Sequence, residues 1–209
     1  KKKEVVVIDN LSKGKKENIN PKVKLEYIDI SDPKQDKNMT EVMKGADSVF
    51  LLAAKARVQP SIEEPVEYEV NNTIGTLNVL KCASDAGVRR VVYSASSSAY
   101  GDTDKLPSVE SDPVNPLSPY GAQKYYGEVM CKMFSQVYDI ETVSLRYFNI
   151  YGERQNVGGA YAMVIGIFVD QLLNGKPMTI RGDGEQRRDF TYVGDVVNAN
   201  ILASQSEKV

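Results

Sequence analysis

Five apolar runs rich in β-branched residues alternate with stretches of helical length, and this alternation limits the fold more than any other feature. The first run is Glu4-Val5-Val6-Val7-Ile8-Asp9, which ends in an acid. Residues 22–30 alternate through Val23, Leu25, Tyr27, Ile28 and Ile30. Residues 47–54 read as a buried strand that runs into small residues, and residues 90–94 and 142–150 are the next two strands. Helices are predicted over about 34–44, 65–86, 118–138, 161–174 and 194–205. A short strand pair, 178–181 and 189–193, is predicted around the turn Asp183-Gly184. Continuous apolar strands separated by helices form a parallel sheet covered on both faces, so the predicted class is α/β with a doubly wound parallel sheet.

In such sheets ligands bind at the carboxyl ends of the strands. Asp9, Asp29, Ala53-Ala54, Ser94–Ser98 and Tyr147–Asn149 all fall at such ends, which folding alone does not require. One loop after the serines comes Tyr120-Gly-Ala-Gln-Lys124, the only tyrosine of twelve with a lysine four places on. Four residues is one helical turn, so phenol and ammonium share a face. A nearby cation favours phenolate, and a phenol titrating near 10 needs such help to act as a base near neutrality. The chain has no histidine, which removes the usual neutral-pH base and adds weight to Tyr120.

The charge balance, 26 basic against 28 acidic residues, gives no electrostatic case for nucleic acid or membrane as a partner. Cys82 and Cys131 fall in separate helical patterns and read as buried thiols of a reducing, cytoplasmic setting. With no histidine and two isolated cysteines, no metal site is expected.

An acid at a strand end, such as Asp9, suits the adenosine ribose of NAD, roughly 20 residues after a glycine-rich turn. Only eight residues precede Asp9 and none is glycine. The expectation is therefore a Rossmann-type sheet that lacks its first strand, with 4–9 as the second strand and no direct pairing between 4–9 and 47–54. On this reading the chain is part of a longer protein and is not a stable, active enzyme by itself.

Together Tyr120-x-x-x-Lys124, Ser94–Ser98 with Ala99-Tyr100-Gly101-Asp102, and Arg146-Tyr147-Phe148-Asn149 resemble the extended short-chain dehydrogenase/reductase family. Asp9-Asn10-Leu11, Leu52-Ala53-Ala54, Asn71-Asn72 and Arg181-Gly182-Asp183-Gly184 before Arg188-Asp189-Phe190 extend the match toward its nucleotide-sugar 4-epimerases. The resemblance implies an NAD-binding domain at 1–150 and a partial substrate-binding region at 151–209. It implies a catalytic set of Ser96, Tyr120 and Lys124, with NAD held by Asp9, Asn10, Asp29, Ile30, Leu52, Ala53, Ala54, Ala56, Asn72, Ser94, Tyr120, Lys124 and Tyr147. A UDP-sugar would meet Ser96, Ser97, Ser98, Asn149, Ala162, Met163, Val164, Arg181 and Arg188. Lys124 is expected to hold the nicotinamide ribose and keep the Tyr120 pKa low.

Related dehydratases and decarboxylases resemble one another in carrying an acid just after the Ser96 position. Ser97 and Ser98 stand here, which favours oxidation and re-reduction at C4. A dehydratase, decarboxylase or reductase, and a non-catalytic relative, remain as alternatives. So do local readings of single residues: Asn149 as a strand-end cap, Arg188 in a surface ion pair, Ser94, Ser97 and Ser98 satisfying turn backbone, and Asp29 as a helix cap. A homodimer is expected through the helices at 65–86 and 118–138, with Tyr125, Tyr126, Val129, Met130 and Met133 on outer faces.

Overall fold

The computed structural model describes residues 4–103, 105–155, 163–180 and 182–207. Strand β1 (Val6–Ile8) pairs in parallel with β2 (Lys24–Glu26), placing Val7 opposite Leu25. Strands β3 (Ser48–Leu51), β4 (Arg90–Ser96) and β5 (Glu141–Tyr147) form a second parallel sheet in the order β3-β4-β5. A third pair joins β6 (Ile150–Tyr151) to β7 (Thr191–Tyr192), also in parallel. Among the described residues β1 and β3 are not paired, as expected for a second strand set apart from the next.

The helices are α1 (Asp36–Met43), α2 (Val58–Glu63), α3 (Pro65–Glu69), α4 (Gly75–Asp85), α5 (Pro119–Val137), α6 (Val164–Leu173) and α7 (Val193–Gln205). All seven residues of β4 are buried, which is why its sequence is a continuous apolar run. Val91, Tyr93 and Ala95 pack into one core with Met39 and Met43 of α1, Leu80 and Ala83 of α4, and Cys131 and Phe134 of α5. Arg90 turns to the opposite face: its guanidinium donates to the Ala203 carbonyl (2.7 Å) while Arg89 donates to Ser204 O (3.0 Å). Two cations on the last carbonyls of α7 satisfy orphan acceptors and oppose the helix dipole, so α7 is held against β4 from its second face.

Several predicted elements differ in detail. The helix predicted at 65–86 runs without interruption from Pro65 to Asp85 but contains a π-helical turn over Val70–Ile74 between α3 and α4, and a separate helix, α2, precedes it. Pro60 and Pro65 lie within and at the start of these pieces, where a local pattern reads only as loop. The strand pair at 178–181 and 189–193 is not a hairpin: residues 178–180 are irregular, and Thr191–Tyr192 pairs with Ile150–Tyr151 instead. The strands predicted at 22–30 and 142–150 shorten to Lys24–Glu26 and Glu141–Tyr147.

Candidate active site

Helix α5 begins where the sequence signals it. Ser118 accepts the Gly121 N–H (3.1 Å) as an N-cap, and Pro119 takes the first helical position. Gly121 then lies so close to the turn after β4 that a Cβ would stand 2.7 Å from the Ser98 carbonyl oxygen. Only glycine permits that approach, and the approach brings Tyr120 to Ser96. Ser96 ends β4 and starts a short 3₁₀ turn, Ser97–Ala99, in which its Oγ accepts the Ser98 N–H (3.2 Å) and donates to Ser98 Oγ (3.1 Å).

Tyr120 is half-buried, and the Ser96 side chain is among the groups that act on its phenol. Burial raises its pKa above that of an ordinary phenol; the Ser96 side chain and then the Arg57 charge pull it back without cancelling the burial. The sequence reading expected a lowered Tyr120 pKa, whereas burial leaves it raised here, and Arg57 is a cation that pulls it down. Lys124 is 4% exposed, donates from Nζ to the Ser94 carbonyl (2.8 Å) and sits 5.0 Å from the Tyr93 ring centre. Burial holds its pKa down to about 8. The i,i+4 spacing is present, but the lysine reaches into the sheet while the phenol stays at its edge.

Two further segments frame this edge. The loop after β3 is fixed by Asn72, whose side chain accepts the Lys55 N–H (2.7 Å) and donates to the Lys55 carbonyl (2.9 Å) and to Gln123 Oε1 (3.0 Å). Gln123 in turn donates to Glu69 (3.1 Å), Lys55 is paired with Glu67, and the Tyr68 hydroxyl donates to Ala56 O (2.9 Å). Buried Asn72 thus positions Ala53, Ala54 and Ala56, while Leu52 is exposed. The second segment is the β1 end, where Asp9 accepts the Leu11 N–H (2.6 Å) and Asn10 donates to Asp29 (2.9 Å). Burial pushes the Asp29 carboxyl up, but bonds from the Ser31 hydroxyl and N–H and from Asn10 outweigh it, so its pKa is lowered. Asp29 does not cap the next helix; Asp32 does, accepting the Lys34 N–H (3.0 Å). Buried Ile30 packs in the core.

The remaining candidates are dispersed. Tyr147 pairs with Ser96 across the sheet, but its hydroxyl accepts from Asn200 of α7 (2.7 Å). Asn149 donates to the Asp189 carbonyl (2.9 Å) and takes part in the junction before β6 and β7, the local role its position allowed. Arg188 is exposed and bonded to the carbonyl of its neighbour Arg187 (2.6 Å). Ser97 and Ser98 are half-buried beside Ser96, and Val164 is the exposed first residue of α6. Met163 faces the site through its sulfur, which accepts from Arg57 Nη1 (2.8 Å). Ala162 and Arg181 lie outside the described residues. Ser94 Oγ is buried with no hydrogen-bond partner among the described residues. Arg57 escaped the sequence reading, because its signal is a backbone angle and a distant partner, neither of which composition or spacing carries.

Parallel strands wound on both faces, with a serine and a Tyr-x-x-x-Lys helix at one carboxyl edge, define an α/β protein of the Rossmann-like class. The chain matches the NAD dependent epimerase/dehydratase family over residues 1–209 and belongs to it. It is 38% identical over 205 residues to the UDP-glucose 4-epimerase of Mycolicibacterium smegmatis, covering 95% of this chain and 64% of the relative. Among solved structures it resembles the UDP-N-acetylglucosamine 4-epimerase of Methanobrevibacter ruminantium in complex with UDP-N-acetylmuramic acid. The TM-score is 0.92 at 40% identity, over 98% of this chain and 66% of that one. The UDP-glucose 4-epimerase of Thermotoga maritima with UDP-glucose gives 0.90 at 39% identity, over 96% and 65%. The chain thus spans just under two thirds of the length of these relatives.

Proposed function

We propose that the protein carrying this chain interconverts the C4 epimers of a UDP-sugar, UDP-glucose/UDP-galactose or an N-acetyl analogue, through a 4-keto sugar. The observation that carries this reading is half-buried Tyr120 at the start of α5, held by the close approach of Gly121 to the turn that follows Ser96 at the carboxyl end of the central strand. Family membership and relatives described as UDP-sugar 4-epimerases support it. NAD, when bound, supplies hydride acceptance and return at C4.

The residues present fit such a group. The partnerless Ser94 Oγ and the buried Lys124 ammonium stand together under the sheet edge, and both are donors suited to ribose hydroxyls. Asp9 and Asn10 would take the adenosine ribose, Asp29 and Ile30 the adenine side, and Leu52, Ala53, Ala54 and Ala56 the flank over β3, with Asn72 and Tyr147 supporting from behind. Tyr120 would accept the proton from the sugar O4 and return it, and Ser96 would orient O4 toward the phenol. Ser97, Ser98, Asn149, Ala162, Met163, Val164, Arg181 and Arg188 would surround the UDP-sugar. Residues 1–150 serve as the NAD domain and 151–209 as the substrate-binding region.

We also assign a homodimer to the α3–α5 face. Val66 (75% exposed), Val70, Ile74 and Val129 are exposed there beside an open groove of about 590 Å³ lined also by Tyr126. Met130 and Met133, expected on that face, pack against the core instead. A cytoplasmic setting is consistent with free, buried Cys82 and Cys131.

The test is product analysis of the full-length protein incubated with UDP-galactose and UDP-N-acetylglucosamine. The expected result is the C4 epimer at constant mass. A product lighter by water or carbon dioxide would overturn epimerisation in favour of dehydration or decarboxylation.

A further inference from the structure

We propose that Gln123 is a positioning residue that registers the loop after β3 against the helix bearing Tyr120, and so sets how tightly NAD is held. The inference rests on the reading of that loop as a flank of the cofactor.

Gln123 stands directly before Lys124 on α5 and is 4% exposed, and Asn72 of the π turn is 2% exposed. Buried amides need partners for both donor and acceptor, so the bonds these two make fix their orientation. The chain of bonds starts in the loop. The Lys55 N–H donates to Asn71 (3.0 Å) and to Asn72 (2.7 Å), and Asn72 Nδ2 donates back to the Lys55 carbonyl (2.9 Å). A backbone N–H only donates and a carbonyl only accepts, so Asn72 has one orientation here. Its Nδ2 also donates to Gln123 Oε1 (3.0 Å), which leaves Gln123 Nε2 to donate to Glu69 Oε2 (3.1 Å). Turning Gln123 over would set its NH2 against that of Asn72 and its oxygen against a carboxylate. The direction of every bond from Lys55 to Glu69 is therefore determined.

Further ties of the loop run to α3: the Tyr68 hydroxyl donates to Ala56 O (2.9 Å), and Lys55 is paired with Glu67. The Asn72–Gln123 bond carries the loop's position across to α5. Helix α5 is itself seated on the turn after Ser96, where a Cβ on Gly121 would stand 2.7 Å from the Ser98 carbonyl oxygen. Gln123 is thus a joint between the two sides of the proposed cofactor edge, Ala53–Ala56 on one and Ser96, Tyr120 and Lys124 on the other. Exposed Glu69 lies at the outer end, and its carboxylate makes the last bond charge-assisted. That bond polarises the Gln123 amide and strengthens Oε1 as the acceptor for Asn72. An apolar side chain at position 123 would leave one Nδ2 hydrogen of buried Asn72 without this partner and release the loop from α5.

The test compares wild-type full-length protein with Gln123→Leu, Gln123→Glu, and Gln123→Glu combined with Glu69→Gln. Three quantities are read: hydrogen exchange of the peptide covering residues 53–57 without added nucleotide, and calorimetric titrations with NAD and with UDP. Loss of one buried hydrogen bond is worth about tenfold. Gln123→Leu should speed exchange of that peptide about tenfold and weaken NAD about tenfold, with UDP affinity unchanged. Gln123→Glu sets two carboxylates face to face and should do at least as much. The double variant restores an acceptor for Asn72 and a donor–acceptor pair between positions 69 and 123, so it should recover most of both effects. A residue that serves stability alone moves neither affinity, or both together. Unchanged exchange or unchanged NAD affinity in Gln123→Leu, equal losses for NAD and UDP, or no recovery in the double variant overturn the proposal. Wild-type protein that takes up no NAD would sink the cofactor reading of the loop, and with it the role in affinity. The exchange of Gln123→Leu would then still decide whether Gln123 holds the loop.

Discussion

Replacing Lys124 by methionine should remove a pH dependence from folding that the structure assigns to this one side chain. Lys124 is 4% exposed, and burial moves its pKa from 10.5 to about 8. The unfolded chain keeps this lysine protonated to about 10.5, while the folded chain releases the proton above about 8. Between those values the unfolded state binds more protons, so this group makes stability rise with pH. Below pH 8 both states are protonated and the full penalty is present. A difference of about 2.5 pH units corresponds to about 3 kcal/mol at 1.36 kcal/mol per unit. Methionine has similar length and no charge, so it escapes the penalty but loses the bond to the Ser94 carbonyl, a pH-independent cost of about 1–3 kcal/mol. The diagnostic is therefore a slope and not a sign. Urea unfolding of both proteins from pH 6.5 to 10.5, without added nucleotide, should show the variant losing about 3 kcal/mol relative to wild type across pH 8–10.5. Tyr93, raised by burial, titrates in both proteins and drops out of the comparison; Cys131, raised to about 12 by burial, does so apart from the lowering it owes to the Lys124 charge. A pH-independent difference would refute the claim that Lys124 sits desolvated beneath the sheet edge.

Tyr120→Phe removes only the proton-transfer hydroxyl; turnover should fall below a few per cent of wild type while NAD binding by calorimetry is retained. Gly127→Ala places a methyl on the Tyr93 ring, which is 1% exposed and cannot retreat; overpacking should cost about 1–3 kcal/mol in urea unfolding despite the helix preference of alanine. Asp9→Asn removes the carboxylate that would repel a 2′-phosphate, so the NAD over NADP preference should narrow at least tenfold in paired titrations.

The central strands were legible because continuous β-branched runs in this chain coincide with strands buried from both sides, as all seven residues of β4 are. Helix α5 was legible because Ser118, Pro119 and the serine strand before it are local signals. The π turn inside the helix predicted at 65–86 was not. The Asn71 and Asn72 side chains both accept the Lys55 N–H, and the helix that carries them widens to a π turn there. Such a demand comes from a residue 16–17 positions away and leaves no periodic trace. The false hairpin at 178–193 has the same origin: Asp183-Gly184 reads as a turn from neighbours alone, while the true partner of Thr191 lies 41 residues earlier at Ile150. Within the site, the Tyr120–Lys124 spacing was visible but the direction each side chain takes was not, because depth under the sheet is decided by Gly121 against Ser98 and by the Ser94 carbonyl that receives the Lys124 ammonium.

The two main sheets share no ladder among the described residues, yet the proposed cofactor edge draws Asp9, Asn10 and Asp29 from one and Ser94, Ser96 and Lys124 from the other. Their relative position must then be set by side-chain packing. Ile30, just past β2, enters the same core as Val79, Leu80 and Val91, and Asn78 of α4 donates to the Ile30 carbonyl (3.0 Å). Helix α4 is also packed on α1, α5 and β3. It is thus the element that ties the adenosine side of the edge to the proton-transfer side, and it does so through apolar contacts and one amide, not through a backbone ladder. A ladder resists shear with a row of directional bonds; a packed helix resists it with short-range dispersion, which a void of less than an ångström already weakens. The spacing between Asp9 and Tyr120 should accordingly be more sensitive to the volume of Ile30 and Leu80 than to any substitution within the strands that carry the site.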